Sequence, residues 1–187
     1  MKHARSARRA PILSTRLPSF STRAPSFALA LFAAIVAIGT AGCGRPFDVK
    51  TAPGLVELDD QGPRYDYRAI APEGVVVGVK VVDIGDKGDL AFWTRATSLR
   101  MRQLDGYALL GTGDVKSRDG MAGRELRFGH DEGGKPYLYT LRVYVKKKGC
   151  LFCSGSRLFI METGGPRDEV TRYQQALDWM ETSLALD

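Results

Sequence analysis

The sequence predicts an α+β domain, an antiparallel β-sheet flanked by helices in an α/β/α sandwich. Three observations carry this. Gly74 to Ile84 and Tyr137 to Lys146 alternate with the two-residue period of strands. Apolar residues recur at three- and four-residue spacing after Asp89 and again after Pro166, the signature of amphipathic helices. Short clusters of Gly, Pro and Asp separate successive extended runs, as hairpin turns do.

Taken in order, Phe47-Asp48-Val49 opens the fold and Pro53-Gly54 marks a turn. Leu55 to Leu58 and Tyr65 to Ala69 are short runs on either side of Gly62-Pro63, which predicts a hairpin. In Gly74 to Ile84, Val75, Val77, Val79 and Val81 share one face, with Val76, Gly78, Lys80 and Val82 opposite. A strand apolar on one face and partly apolar on the other belongs mid-sheet, packed on both sides. Gly85 to Gly88 turns the chain, and Asp89 suits an N-cap. Leu90, Trp93, Thr97, Met101 and Leu104 then line one helix face, ending near Gly106.

Tyr107 to Leu110 and Val115 to Ser117 form the next extended segment, with Gly111 to Gly113 as a bulge or bend. Asp119-Gly120 is a tight turn, and Ala122 to Gly129 alternates Leu126 and Phe128 against Glu125 and Arg127. Gly133-Gly134-Lys135-Pro136 leads into Tyr137 to Lys146, with Tyr137, Tyr139, Leu141, Val143 and Val145 on one face. Gly149 to Ser156 reads as a loop and Arg157 to Thr163 as the returning strand. Gly164-Gly165-Pro166 is expected to start the last helix, with Asp168 and Glu169 at its positive end. Val170, Tyr173, Leu177, Met180 and Leu184 form its buried face.

This order of elements resembles the PsbP-like fold, an antiparallel sheet flanked by helices. Matching features are Phe47-Asp48-Val49, Pro53-Gly54, Asp119-Gly120 before Gly123-Arg124-Glu125-Leu126, Tyr137-Leu138-Tyr139, and Phe159-Ile160-Met161-Glu162-Thr163-Gly164 before a closing helix. The resemblance spans residues 47–187. It implies adaptor or assembly roles rather than a particular chemistry, because the motifs are turns and core patterns.

Charge is distributed unevenly. The net charge of +6 comes from Lys2, Arg5, Arg8, Arg9, Arg16 and Arg23, since the rest of the chain carries 21 basic and 21 acidic residues. A neutral domain lacks the electrostatic footprint of a nucleic-acid binder. The basic start, the uncharged run Phe27 to Ile38 and the small residues after it have the arrangement of an export signal. Residues 40–42 followed by Cys43 resemble the lipobox of bacterial lipoproteins, with Thr40 where that family usually has Leu. The resemblance implies cleavage before Cys43 and lipid modification of its thiol and new amine. An uncleaved anchor helix, a plain cut near Ala41, an organellar transit peptide and a twin-arginine signal are the competing readings. The expected organisation is a signal peptide over 1–42, a lipid-anchored tether over 43–46 and a globular domain over 47–187.

Cys150-Leu151-Phe152-Cys153 is the sharpest local motif in that domain. A redox pair normally opens a helix, which lowers the first thiol's pKa, and here a Gly/Ser loop and a strand follow. A zinc site needs four ligands, and His130 is the sole histidine beyond the leader. A small disulfide between Cys150 and Cys153, in an oxidising compartment, is the favoured reading. Lys146, Lys147 and Lys148 are candidate contacts for an anionic partner, or simply charges that deter edge pairing. His130-Asp131-Glu132 reads as a solvated turn, and Trp93, Trp179 and Tyr137, Tyr139 and Tyr144 as core and sheet-face residues. No catalytic, metal-binding or cofactor-binding set is expected.

The expected role is a non-catalytic envelope lipoprotein, membrane-bound through its lipid and binding an envelope protein partner. Outer-membrane placement is favoured over inner by Gly44 after the anchor. The alternative is a thiol-redox or small-ligand-binding envelope protein that uses the Cys150/Cys153 loop or a pocket between sheet and helix.

Overall fold

In the computed structural model, which describes residues 44–103, 106–148 and 154–187, strict alternation produces the sheet. In chain order the strands are β1 (Phe47–Asp48), β2 (Val56–Glu57), β3 (Tyr67–Ile70) and β4 (Val76–Gly85). Helix α1 (Leu90–Arg102) precedes β5 (Ala108–Lys116), β6 (Ala122–Glu132), β7 (Lys135–Lys147) and β8 (Ser156–Pro166). Helices α2 (Arg167–Arg172) and α3 (Gln174–Ser183) and strand β9 (Ala185–Leu186) close the chain. Seven strands form one sheet in the order β2-β3-β4-β8-β7-β6-β5, antiparallel at every step. β1 and β9 pair separately and tie the two ends of the domain together.

Both faces of the sheet are used, as the pattern in β4 requires. Val77 and Val79 are fully buried with Tyr144, Phe159 and Met161 against Leu177, Met180 and Leu184 of the C-terminal segment. Burial of each such side chain contributes about 1.5–3 kcal/mol. On the other face α1 lays Leu90 and Trp93 over Ile84, Val143 and Leu158, and Met101 near Leu126, Phe128 and Leu141. The helix starts where Asp89 accepts the Phe92 amide at 2.8 Å, filling one of the free donors of the first turn. The antiparallel sheet flanked by helices that the PsbP-like resemblance implies is thus what the chain forms.

Several boundaries differ from the sequence reading, for local reasons. The fifth strand is continuous from Ala108 to Lys116, because a register shift between Leu109 and Gly111 absorbs the irregularity. Strand β8 continues through Gly164 and Gly165 to Pro166, paired with Tyr139, Leu138 and Tyr137, so the helix begins only at Arg167. The last helix is interrupted at Tyr173, whose ψ of 4° leaves the helical range. Trp179 is 45 % exposed rather than core, since Leu177 and Met180 already occupy the buried face of α3. At the Asp119-Gly120 turn, the amide of Gly120 donates to the Ser117 carbonyl, and a φ of 83° makes glycine the fitting residue. Among the described residues no helix is long and apolar enough to cross a membrane.

Candidate functional site

Helix α1 covers only half of its sheet face. The remaining half is built from Gly78, Glu162 and Gly164 on β4 and β8, and from Tyr137, Tyr139 and His130 on β7 and β6. Register places Gly78 beside Glu162, Gly164 beside Tyr139, and Tyr137 beside His130. Tyr65 and Tyr107 rise at the margins and enclose a cavity of about 450 Å³. That size falls in the range of small-ligand sites, and its composition is aromatic walls around few polar groups.

Glu162 is one of two carboxylates in the lining of this cavity. The Tyr65 hydroxyl donates to Oε2 of Glu162 at 2.9 Å, and the Tyr139 hydroxyl donates to the same oxygen. Burial, then the adjoining carboxylate, push the Tyr65 phenol up to about 12 and the Tyr139 phenol further above its ordinary value. Both phenols therefore remain protonated donors at neutral pH. Among the described residues Oε1 of Glu162 has no hydrogen-bond or ion-pair partner, so one lone-pair face of a fixed carboxylate stays available.

Glycines allow the rings to lie close to the sheet. A Cβ at Gly78 would stand 2.8 Å from the Tyr65 ring, and one at Gly164 would stand 2.6 Å from the Tyr139 ring. On the opposite wall the imidazole of His130 stacks on Tyr107 with centroids 4.6 Å apart and planes 8° apart. Tyr107 meets Tyr139 edge-on at 6.0 Å. Gly106, at a φ of 82°, makes room for Nδ1 of His130, which is buried and has no hydrogen-bond partner among the described residues. His130 is thus a strand residue in an aromatic wall, not a solvated turn residue. Strand β6 runs three residues beyond the predicted end because β7 pairs with it as far as Glu132.

A second polar cluster lies on the opposite face, under α3. The Arg142 guanidinium contacts Glu125 at 2.9 Å and Glu181 at 2.5 Å, and Thr163 donates to Glu181 at 3.4 Å. All three charged side chains are largely buried, Glu181 most of all at 6 % exposure. Burial pushes the Glu181 carboxyl up to about 7 against the pull of Arg142. They line a cavity of about 400 Å³ between sheet and helix. Among the described residues no group of three or more His, Cys, Asp or Glu is placed to hold a metal ion.

The residues singled out from the sequence fall elsewhere. Cys43, the leader over 1–42, and Cys150 and Cys153 lie outside the described residues. Lys146 donates to the Leu186 carbonyl and Lys148 pairs with Asp83 at 3.0 Å, whereas Lys147 is exposed at the end of β7. Arg45, in the expected tether, pairs with Glu57 at 2.5 Å and lies over the Tyr67 ring at 5.5 Å. Sequence reasoning missed Tyr65, Glu162 and the Arg142 cluster. The available signal was a lone acid in the apolar run Phe159-Ile160-Met161-Glu162, and a lone Arg between Leu141 and Val143.

No family model matches the chain, and no curated protein matches it in sequence. Solved structures match it in fold. The chain is similar to LpqN of Mycobacterium tuberculosis, described as involved in cell envelope biogenesis, with a TM-score of 0.66 and 12 % identity. That match covers 79 % of this chain and 87 % of LpqN. A Pseudomonas aeruginosa protein of unknown function, PA94, described as a putative regulator, matches at a TM-score of 0.47 with 14 % identity, over 80 % of this chain and 89 % of PA94. Cyanobacterial PsbP (CyanoP) of Synechocystis sp. PCC 6803 matches at 0.46 with 12 % identity, over 81 % of this chain and 99 % of CyanoP.

Proposed function

We propose that this protein is a lipid-anchored binding module of the cell envelope, non-catalytic, with the cavity around Glu162 as its binding site. The observation that carries the binding role is the arrangement of Tyr65 and Tyr139 on one oxygen of Glu162. Two half-buried phenols hold the carboxylate and, among the described residues, leave its second oxygen free in an aromatic cavity. Such a site is preorganised for recognition, which lowers the ordering cost of binding. Three features support the envelope location. They are the basic and apolar leader, the small residues before Cys43, and a fold shared with a protein described as involved in envelope biogenesis. Only the short tether over 43–46 separates the folded domain from Cys43, so a lipid there keeps the domain close to the bilayer.

Intact mass of the protein extracted from bacterial membranes tests the anchor. The expected species begins at Cys43 and carries diacylglyceryl and acyl groups, and Cys43→Ala leaves the membrane fraction. An unlipidated chain beginning at Met1 contradicts the anchoring.

A further inference from the structure

We infer that the cavity around Glu162 binds a primary alkylammonium group, an inference that rests on the binding role proposed above. Charge complementarity selects the ligand. Among the described residues the lining includes two carboxylates, Glu162 and Glu132, and no lysine or arginine. An anionic ligand would meet like charge from the lining, whereas the Arg68 guanidinium lies outside that lining, over the Tyr65 ring. A neutral apolar ligand would strip water from Oε1 of Glu162 and return no hydrogen bond. An ammonium donates to that oxygen in a charge-assisted bond and places its remaining charge near the Tyr139 and Tyr137 rings, whose faces attract cations.

The surroundings show the same preference already at work. The Arg68 guanidinium stands over the Tyr65 ring, 5.4 Å from its centre. Tyr139 supplies a second ring fixed by its bond to Glu162, and Tyr107 is held by stacking on His130. Glu162 cannot turn away from the ligand without breaking both phenol bonds. The cavity of about 450 Å³ fits a short alkyl chain along the tyrosines, with the amine reaching the carboxylate.

Calorimetric titration of the full chain in detergent, at fixed ionic strength, tests this with n-butylammonium and the neutral analogue butan-1-ol. The expected result is saturable binding of n-butylammonium at least ten times tighter than of butan-1-ol. Glu162→Gln keeps a carbonyl acceptor for Tyr65 and Tyr139 and removes that preference, while Glu181→Gln on the other face retains it. Tyr137→Leu weakens n-butylammonium several-fold without touching the carboxylate. Equal binding of the two probes to the wild type, abolished by Tyr137→Leu, would overturn the ammonium assignment and leave the binding site standing. Absence of saturable binding by either probe would overturn both. A Glu162→Gln variant that binds n-butylammonium like the wild type would also overturn the assignment.

Discussion

The ring of Tyr139 lies against Gly164 so closely that a Cβ on Gly164 would stand 2.6 Å from it. Gly164 lies outside the left-handed region, so alanine fits its backbone and only the ring opposes the substitution. Gly164→Ala is expected to destabilise the domain by about 1–3 kcal/mol, the usual cost of overpacking. Gly113→Ala is the control, since nothing lies within 4 Å of the added methyl. It is expected to leave stability unchanged or raise it by about 0.4–1 kcal/mol. Urea denaturation of the two variants checks the contrast.

Glu181 makes folding stability depend on pH. Its carboxyl is raised by burial from 4.5 to about 7, so between those values the folded state holds a proton that the unfolded state has released. The contribution of Glu181 to stability is therefore greatest below about 4.5, falls as pH rises toward about 7, and is flat above. The fall is on the order of 3 kcal/mol if the shift is fully expressed. Glu181→Gln removes this segment of the profile, which denaturation at a series of pH values measures directly.

Arg142 is the cation that the buried Glu181 and the partly buried Glu125 share. Arg142→Met leaves Glu125 and Glu181 facing each other without it, and is expected to cost about 3–5 kcal/mol. Adding Glu181→Gln to Arg142→Met removes one stranded charge and is expected to recover part of the loss. A double-mutant cycle reads that recovery as a coupling between the two sites. Strict additivity would contradict the shared-cation description.

Asp89 fixes where α1 begins. Asp89→Ala removes the acceptor of the Phe92 amide and is expected to cost about 1 kcal/mol, read from the denaturation midpoint.

Most of this fold was legible in the chain because alternation and helical spacing are local signals. Val77, Val79, Leu126, Phe128, Leu177 and Met180 were assigned to buried faces from spacing alone, and the structure buries them all. Asp89 was readable as a cap because its neighbours are helical. Element ends were harder. Gly164 and Gly165 read as helix punctuation, but their lack of a side chain serves the strand, where Tyr139 and the Val75 backbone approach them. The candidate site was almost illegible. Tyr65 and Glu162 are 97 positions apart, and the pairing of β3 with β4 and of β4 with β8 brings them together. His130 gave no sign of its stacking because Tyr107 reaches it across the β5–β6 hairpin.

If the proposed function holds, the open half of the sheet face is a binding surface in the envelope. Tyrosine-selective chemical labelling of the protein in intact envelopes and after purification in detergent tests it most directly. Tyr107 and Tyr137 border the cavity, whereas Tyr173 packs against the C-terminal core and bonds Glu73 at 2.7 Å. Tyr107 and Tyr137 are expected to label several-fold less in the envelope than when purified, with Tyr173 unchanged. Equal labelling of Tyr107 and Tyr137 in the two preparations would contradict it.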